Sequence, residues 1–430
     1  MADKHNLRWL RLDNAAKIYP AARSRNWSSL FRLSVTLKER VDVQTLQSAL
    51  DATVNRFPSI AARLRKGVFW YYIEQLHQAP KARPDCSYPM TKMPAKETRR
   101  CALRVLYYEN RIALEIFHSL TDGNGALVFL KSLLAEYLQQ KHGIQIPATD
   151  GVLDRLEEPK EEELEDSFQK YAGPISASRK ELDAWHLSGT LETDGFLHVT
   201  TLQLNVKQLL EKAHQYGVTA TAFLASVMMY SIQAIQNTQI PDRKRRKAIR
   251  LLIPVNLRNL FPSKTLRNFA MFATPEILPK LGEYSFEEIC RVVRHSMGLQ
   301  ITPKRMSMMI AANVSSERIL AVRLMPLFIK NFVMRMVFHA VGERKTCLSI
   351  SNLGAVKLPK EMIPYIDRFD FILGVQATSP YNCGIVSFGD KLNINFIRNV
   401  KEPTLEAQYF QTLRDLGLDV TVQSNLGSKC

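Results

Sequence analysis

The densest chemistry in this chain lies in Phe117-His118-Ser119-Leu120-Thr121-Asp122-Gly123. An imidazole titrates near neutrality, so His118 can take a proton from a hydroxyl, thiol or amine and later return it. Asp122 offers two services four residues on. It can orient the ring through Nδ1–H, or it can pair with a distant cation and hold the loop; spacing leaves both open. A plainer arrangement also fits the string, with Asp122 as a helix N-cap and His118 as a satisfied surface residue. The other eight histidines, at 5, 77, 142, 186, 198, 214, 295 and 339, fall on helical faces or in charged stretches. None shares this setting.

The flanking elements set His118 apart. Residues 111–117 alternate as a strand and pair with 102–107 across the Glu109-Asn110 turn. Residues 125–140 read as a helix through Leu127, Leu130, Leu134 and Leu138. His118 thus falls where a strand runs into a loop, at a sheet edge able to shape a pocket. Upstream, residues 31–37 alternate as another strand, and Asp42 can cap a helix that Pro58 stops. A hairpin is expected around Gly67.

The acidic stretch containing Glu157, Glu158, Glu161, Glu162, Glu163, Glu165 and Asp166 reads as a solvated connector. It divides the chain into an N-terminal lobe, 1–175, which carries the histidine string, and a C-terminal lobe, 196–430; the linker itself covers about 149–195. In the second lobe, strands are expected at 196–204, 249–255, 347–351, 369–377, 384–388 and 392–397. Helices are expected at 206–215, 219–237, between 286 and 340, and at 404–416. Both lobes are α+β.

Composition bounds the remaining classes. With 430 residues, 46% hydrophobic and 23% charged, the chain is packed rather than disordered. The net charge of +17 admits nucleic acid, a membrane surface, an acidic protein or a phosphorylated cofactor as partner. Nucleic acid is not expected. The basic run Arg243-Lys-Arg-Arg-Lys247 has no aromatic interleaving, and no zinc finger, basic zipper or RNA-binding motif accompanies it. Six scattered cysteines show no metal-ligand spacing, so no metal is expected, and reduced thiols point to a cytoplasmic protein. Residues 1–19 contain no apolar core of a signal peptide. The most apolar run, 319–338, is broken by Arg323, Pro326, Lys330 and Arg335. The wider stretch 318–344 reads either as a pair of core helices or as a basic amphipathic surface in peripheral contact with a membrane.

The string His118-x-x-x-Asp122-Gly123 after a strand resembles the CoA-dependent acyltransferase superfamily. That superfamily includes chloramphenicol acetyltransferase, plant acyltransferases, condensation domains, wax ester synthases and alcohol acetyltransferases. Phe57-Pro58 with Ala61-Ala62-Arg63, Pro254-Val-Asn-Leu-Arg258 with Asn268, and Ser351-Asn352-Leu353-Gly354 follow in the family's order. The alcohol acetyltransferase-like branch fits best. Condensation domains carry a second histidine where this chain has Phe117, and the plant branch's Asp-Phe-Gly-Trp-Gly string is absent.

The resemblance implies two chloramphenicol-acetyltransferase-like lobes, each a mixed sheet with helices, and a tunnel between them. Acyl-CoA, short-chain in this branch, would enter from one face as co-substrate, with no permanently bound cofactor, and an alcohol or amine acceptor from the other. His118 would be the general base, Asp122 would pair with Arg258, and Gly123 and Asn268 would shape the site. Ser351 and Asn352 would approach the oxyanion or acceptor, or form a turn after a strand. The basic loop 243–247 would be solvated or would meet the phosphates of CoA. An acidic acyl carrier protein is a further partner the resemblance admits, and a monomer is expected. The competing classes are a chain that keeps the fold for non-catalytic partner binding and a carrier-protein-dependent, condensation-like N-acylating protein.

Overall fold

The computed structural model describes residues 8–23, 29–86, 88–174, 183–337, 343–375 and 379–425. Ends of several expectations, such as Ala377 for a strand and Phe338 for the apolar run, lie outside the described residues.

Three sheets organise the described residues. A five-stranded sheet runs in the order Ile366–Leu373, Leu30–Leu37, Arg111–Phe117, Leu103–Tyr108 and Arg83–Pro84. Its strands are antiparallel apart from the last pair. An eight-stranded mixed sheet holds Ala270–Ala273, Ile249–Asn256, Leu348–Ala355, Tyr381–Phe388, Lys391–Arg398, His198–Asn205 and Val420–Ser424. Its short eighth strand, Glu276–Ile277, also pairs with Ile249–Asn256. A three-stranded sheet of Trp9–Arg11, Tyr71–Gln75 and Ala62–Lys66 carries the hairpin around Gly67.

Local chemistry explains the helices that back these sheets. Asp42 caps Val43–Thr53 by accepting from the Thr45 N–H, and Leu46, Ala49 and Leu50 face inward. Helix Gly123–His142 packs against it and ends at Gly143, whose φ of 66° is the left-handed conformation of a helix stop. In the second lobe, Ala220–Gln239 is capped by Thr219 and packs on Phe286–Gln300 and Thr404–Asp415. Phe286–Gln300 begins with a complete capping box between Ser285 and Glu288.

The lobes interleave. Ile366–Leu373 comes late in the chain, yet it completes the first sheet by pairing with Leu30–Leu37 from Leu373↔Phe31 to Ile366↔Leu37. The division at 175/196 assigns it to the second lobe, because periodicity marks a strand but not the sheet it joins. Gly384 permits the crossing: a Cβ there would collide with the carbonyl of Phe371, so the two sheets meet backbone to backbone.

Two further expectations are corrected. The acidic connector is not wholly solvated. Glu163 is buried and takes a bidentate ion pair from Arg56 at 2.5 and 2.7 Å, while Phe168 packs against Phe269. The apolar run is not a core helix pair either. It forms Leu320–Leu324 and Leu327–Val337, and of the second helix only Leu327 and Lys330 are buried. Among the described residues, no single helix is long and apolar enough to cross a membrane.

Candidate active site

His118 follows directly on the strand Arg111–Phe117, and its N–H donates to the carbonyl of Ser29 at 2.9 Å. The ring is clamped between aromatics. Tyr19, on the short helix Ile18–Ala22, stacks on it at 4.3 Å and 13°, and Phe31 meets it edge-on at 4.9 Å. Desolvation by these neighbours holds the imidazole below its ordinary value near 6.5, partly opposed by Asp122, Asn268 and Asp13. The neutral ring is therefore the resting form at physiological pH.

The tautomer follows from Asn268. Its Nδ2 donates to the Asp13 carboxylate at 3.2 Å and to the His118 carbonyl at 3.0 Å. The His118 carbonyl can only accept, so the amide cannot be turned round without placing its oxygen against it. The Oδ1 then faces Nδ1 of His118 at 3.0 Å, which must carry the proton. Nε2 is left with the lone pair. The arrangement makes His118 a preformed proton acceptor.

Asp122 does not touch the imidazole ring. Its Oδ1 accepts from the Gly125 N–H at 3.0 Å as the N-cap of Gly123–His142. Its Oδ2 takes the Arg258 guanidinium and the Phe269 N–H, each at 2.8 Å. Of the two services open to it in the sequence, loop holding is the one it performs, and Asn268 is the ring's orienter. Its lone pairs are committed to a helix end and to a cation, the pairing with Arg258 that the resemblance implies. Arg258 binds further to the carbonyls of Thr265 at 2.9 Å and Arg267 at 2.6 Å. One guanidinium thus fastens the loop after His118 to the loop that delivers Asn268.

The two glycines of this loop differ. At Gly123 a Cβ would lie 2.7 Å from the flexible end of Leu353, whereas at Gly125 it would strike the Leu266 carbonyl and the Thr121 hydroxyl. Thr121 Oγ1 donates to that same carbonyl at 2.5 Å. The second glycine is where backbone meets backbone.

Ser351 and Asn352 lie within the strand Leu348–Ala355, not in a turn after it. The register of this strand against Tyr381–Phe388 shifts between Asn352 and Ala355, and Gly354 has a φ of 78°. The irregularity lets Ser351, Asn352 and Leu353 all line one cavity. The amide of Asn352 is engaged, donating to Thr221 Oγ1 at 2.9 Å and accepting from the Gly354 N–H at 2.8 Å. The Ser351 hydroxyl makes no hydrogen bond to any described residue.

That cavity, about 250 Å³, runs between the lobes, with His118, Asp122 and Leu127 from one side and Pro254, Ser351 and Asn382 from the other. Among the described residues, no lysine or arginine lines it, and none of the residues 243–247 does. Arg246 is instead tied to the carbonyls of Ile240 and Pro241.

Sequence reasoning did not reach Asp13, Tyr19 or Gly125. Burial raises the carboxyl of Asp13, opposed by Arg267 and by donors from Ala16 and Asn268. Its neighbourhood, Leu12-Asp13-Asn14-Ala15, carries no local sign that it anchors a residue 255 positions away. Gly125 had a visible signal: a glycine inside the first turn of a helix, where alanine is intrinsically better.

No family model matches this chain, and no curated protein matches its sequence. Solved structures do match its shape. A trichothecene 15-O-acetyltransferase from Fusarium sporotrichioides aligns with a TM-score of 0.60 at 10% identity, over 97% of this chain and 96% of that one. A second F. sporotrichioides protein, TRI101, solved with coenzyme A and T-2, aligns with a TM-score of 0.62 at 10% identity, over 97% and 100%. The first condensation domain of the CDA synthetase aligns with a TM-score of 0.59 at 12% identity, over 96% and 99%. The shared feature is the two-lobed α+β fold of chloramphenicol acetyltransferase-like and condensation-domain proteins.

Proposed function

We propose that this protein transfers an acyl group from acyl-CoA to the hydroxyl of an alcohol, with His118 as general base. The observation that carries the reading is the 3.0 Å contact of His118 Nδ1 with Asn268 Oδ1, which leaves Nε2 as the proton acceptor of a histidine that lines a cavity between the two lobes. The fold is shared with acyl-transferring enzymes, and one of them was solved with coenzyme A.

The chemistry balances on these residues. Nε2 takes the acceptor's proton as its oxygen bonds to the thioester carbonyl carbon. The carbonyl electrons move to oxygen, and the tetrahedral oxyanion forms. Collapse breaks the carbon–sulfur bond, and the proton on His118 passes to the departing thiolate, giving an ester and free CoA. Ser351 has a hydroxyl free to donate to the oxyanion. Asn352, already bonded on both amide atoms, serves the strand's shape instead. The uncharged side chains that the described residues offer around His118 and Asp122 fit the acyl and pantetheine ends of the donor, whose phosphates would remain outside. This reading keeps the protein in the cytoplasm.

The test is purified protein with a series of acyl-CoAs, adding alcohols and then amines while free CoA thiol is followed. Release that depends on both acyl-CoA and an alcohol supports the proposal. Release only with amines would move the activity to N-acylation. No release with any acceptor, together with a measured complex to an acyl carrier protein, would favour the non-catalytic class.

A further inference from the structure

Helix Leu327–Val337 is amphipathic the wrong way round for a soluble protein. Its inner side buries a lysine, Lys330, whose ammonium sits 3.2 Å from the centre of the Trp70 ring and donates to the Phe69 carbonyl at 2.9 Å. Its outer side exposes Phe328, Phe332 and Met336, each about 60–70% accessible, at successive i+4 positions. Leu320 and Leu324 of the preceding helix extend the same apolar exposure. The hairpin tip joins it, because the Leu327 N–H bonds to the carbonyl of Val68, itself 74% exposed. A connected apolar surface of this kind marks an interaction site.

Its charge selects the partner. Residues 319–337 contain Arg323, Lys330 and Arg335 and no carboxylate, and residues 64–72 of the hairpin contain Arg65 and Lys66 and again no carboxylate. Arg323 and Arg335 are exposed among the apolar side chains. Arg65 is paired with Glu74 and Lys330 is buried, so the exposed cations Lys66, Arg323 and Arg335 are the ones that flank the aromatic and aliphatic groups, the pattern of a helix lying in the headgroup region of an anionic bilayer.

What lies beneath favours lipid over a protein partner. The partly buried side chains of Val322, Met325 and Met334 roof a chamber of about 420 Å³ that Phe168 and Met271 help to line. The chamber reaches Tyr19, whose other neighbour is the ring of His118. A docked protein would seal this roof; a bilayer would feed it.

We propose that residues 319–337 and the hairpin tip dock on an anionic lipid bilayer, and that the chamber below receives an apolar acceptor dissolved in it. The second half rests on the acyl-transfer reading; the docking does not. Full-length protein is floated with vesicles of phosphatidylcholine alone and with vesicles containing phosphatidylserine. Flotation with the anionic vesicles, weakened by salt, is expected, and the triple variant Phe328→Ser, Phe332→Ser, Met336→Ser should lower it by about tenfold or more. These side chains are exposed, so the variant's melting temperature should match the wild type. Protein that stays at the bottom with both vesicle types overturns the docking, as does a triple variant that floats like the wild type. A wild-type dimer that the triple variant dissolves would assign the face to a second copy and overturn it too. Thiol release is then compared for a water-soluble alcohol and for a long-chain alcohol held in vesicles. Loss in the triple variant confined to the long-chain alcohol supports delivery through the chamber, and equal loss or no loss overturns it. Flotation without thiol release from any alcohol leaves the docking standing and removes the acyl-transfer reading with the delivery.

Discussion

Nδ1 of His118 donates to the carboxamide oxygen of Asn268 at 3.0 Å, across 150 residues of chain. A proton-transfer histidine is most often pictured with a carboxylate behind it. Here a neutral amide holds the ring, and the nearest carboxylates, Asp13 and Asp122, are spent on holding Asn268 and the loop. The amide fixes the tautomer without adding a charge that would raise the imidazole's pKa.

Replacing His118 tests the base directly. His118→Ala should lower the rate of thiol release by roughly 10²–10⁴-fold at saturating acyl-CoA, the usual worth of a positioned general base. The melting temperature serves as the control for folding. A rate equal to the wild type would remove His118 from the chemistry.

Asn268→Ala should lower kcat by roughly 10–10²-fold, the equivalent of about 1.4–2.8 kcal/mol, because the ring loses its orienting acceptor. The KM for acyl-CoA should change little, since Asn268 does not line the cavity. Steady-state kinetics separates the two. A loss confined to KM would contradict the positioning role.

The pH profile carries a sign that can be checked. His118 is active when neutral, and burial holds its pKa below the ordinary 6.5. Activity should therefore climb as pH rises through a midpoint below 6.5 and stay level through neutrality. An acid limb centred above 7 would mean that the imidazolium, not the imidazole, is favoured in the site.

Arg258→Ala should act on stability first. The pair it forms with Asp122 has both side chains about one-tenth exposed, and breaking a buried pair from one side costs about 3–5 kcal/mol. Denaturant unfolding would measure the loss. Adding Asp122→Asn to the variant should recover part of it, because the uncompensated charge is gone.

Gly125→Ala sets helix propensity against packing. Alanine in a helix is favoured by about 0.5–1 kcal/mol over glycine. At this position its Cβ would strike the Leu266 carbonyl and the Thr121 hydroxyl, and overpacking of that kind costs about 1–3 kcal/mol. A net loss of stability is expected, whereas Gly123→Ala, whose close contact is the flexible end of Leu353 with Phe371 at ordinary distance, should be milder. Thermal melts of the two variants rank them.

The sequence by itself determined the strand into His118 and the helix after it, with Asp122 as one candidate for its cap. Those features depend on side-chain alternation, a short polar cap and apolar spacing within a few residues, and such local rules survive translation into a chain. Tertiary structure alone decided which group orients the ring. Asp122 and Asn268 were both visible, but only the meeting of two loops gives the carboxylate to Arg258 and the amide to the imidazole. The same holds for Ile366–Leu373, whose pattern says strand and whose partner, Leu30–Leu37, lies more than 300 residues earlier. It holds again for residues 319–337, where an apolar pattern reads equally as core or surface, and only the burial of Lys330 against Trp70 turns the phenylalanines outward. Each decision rests on which surfaces lose water together, and that is settled by contacts between distant segments rather than by either segment's own pattern.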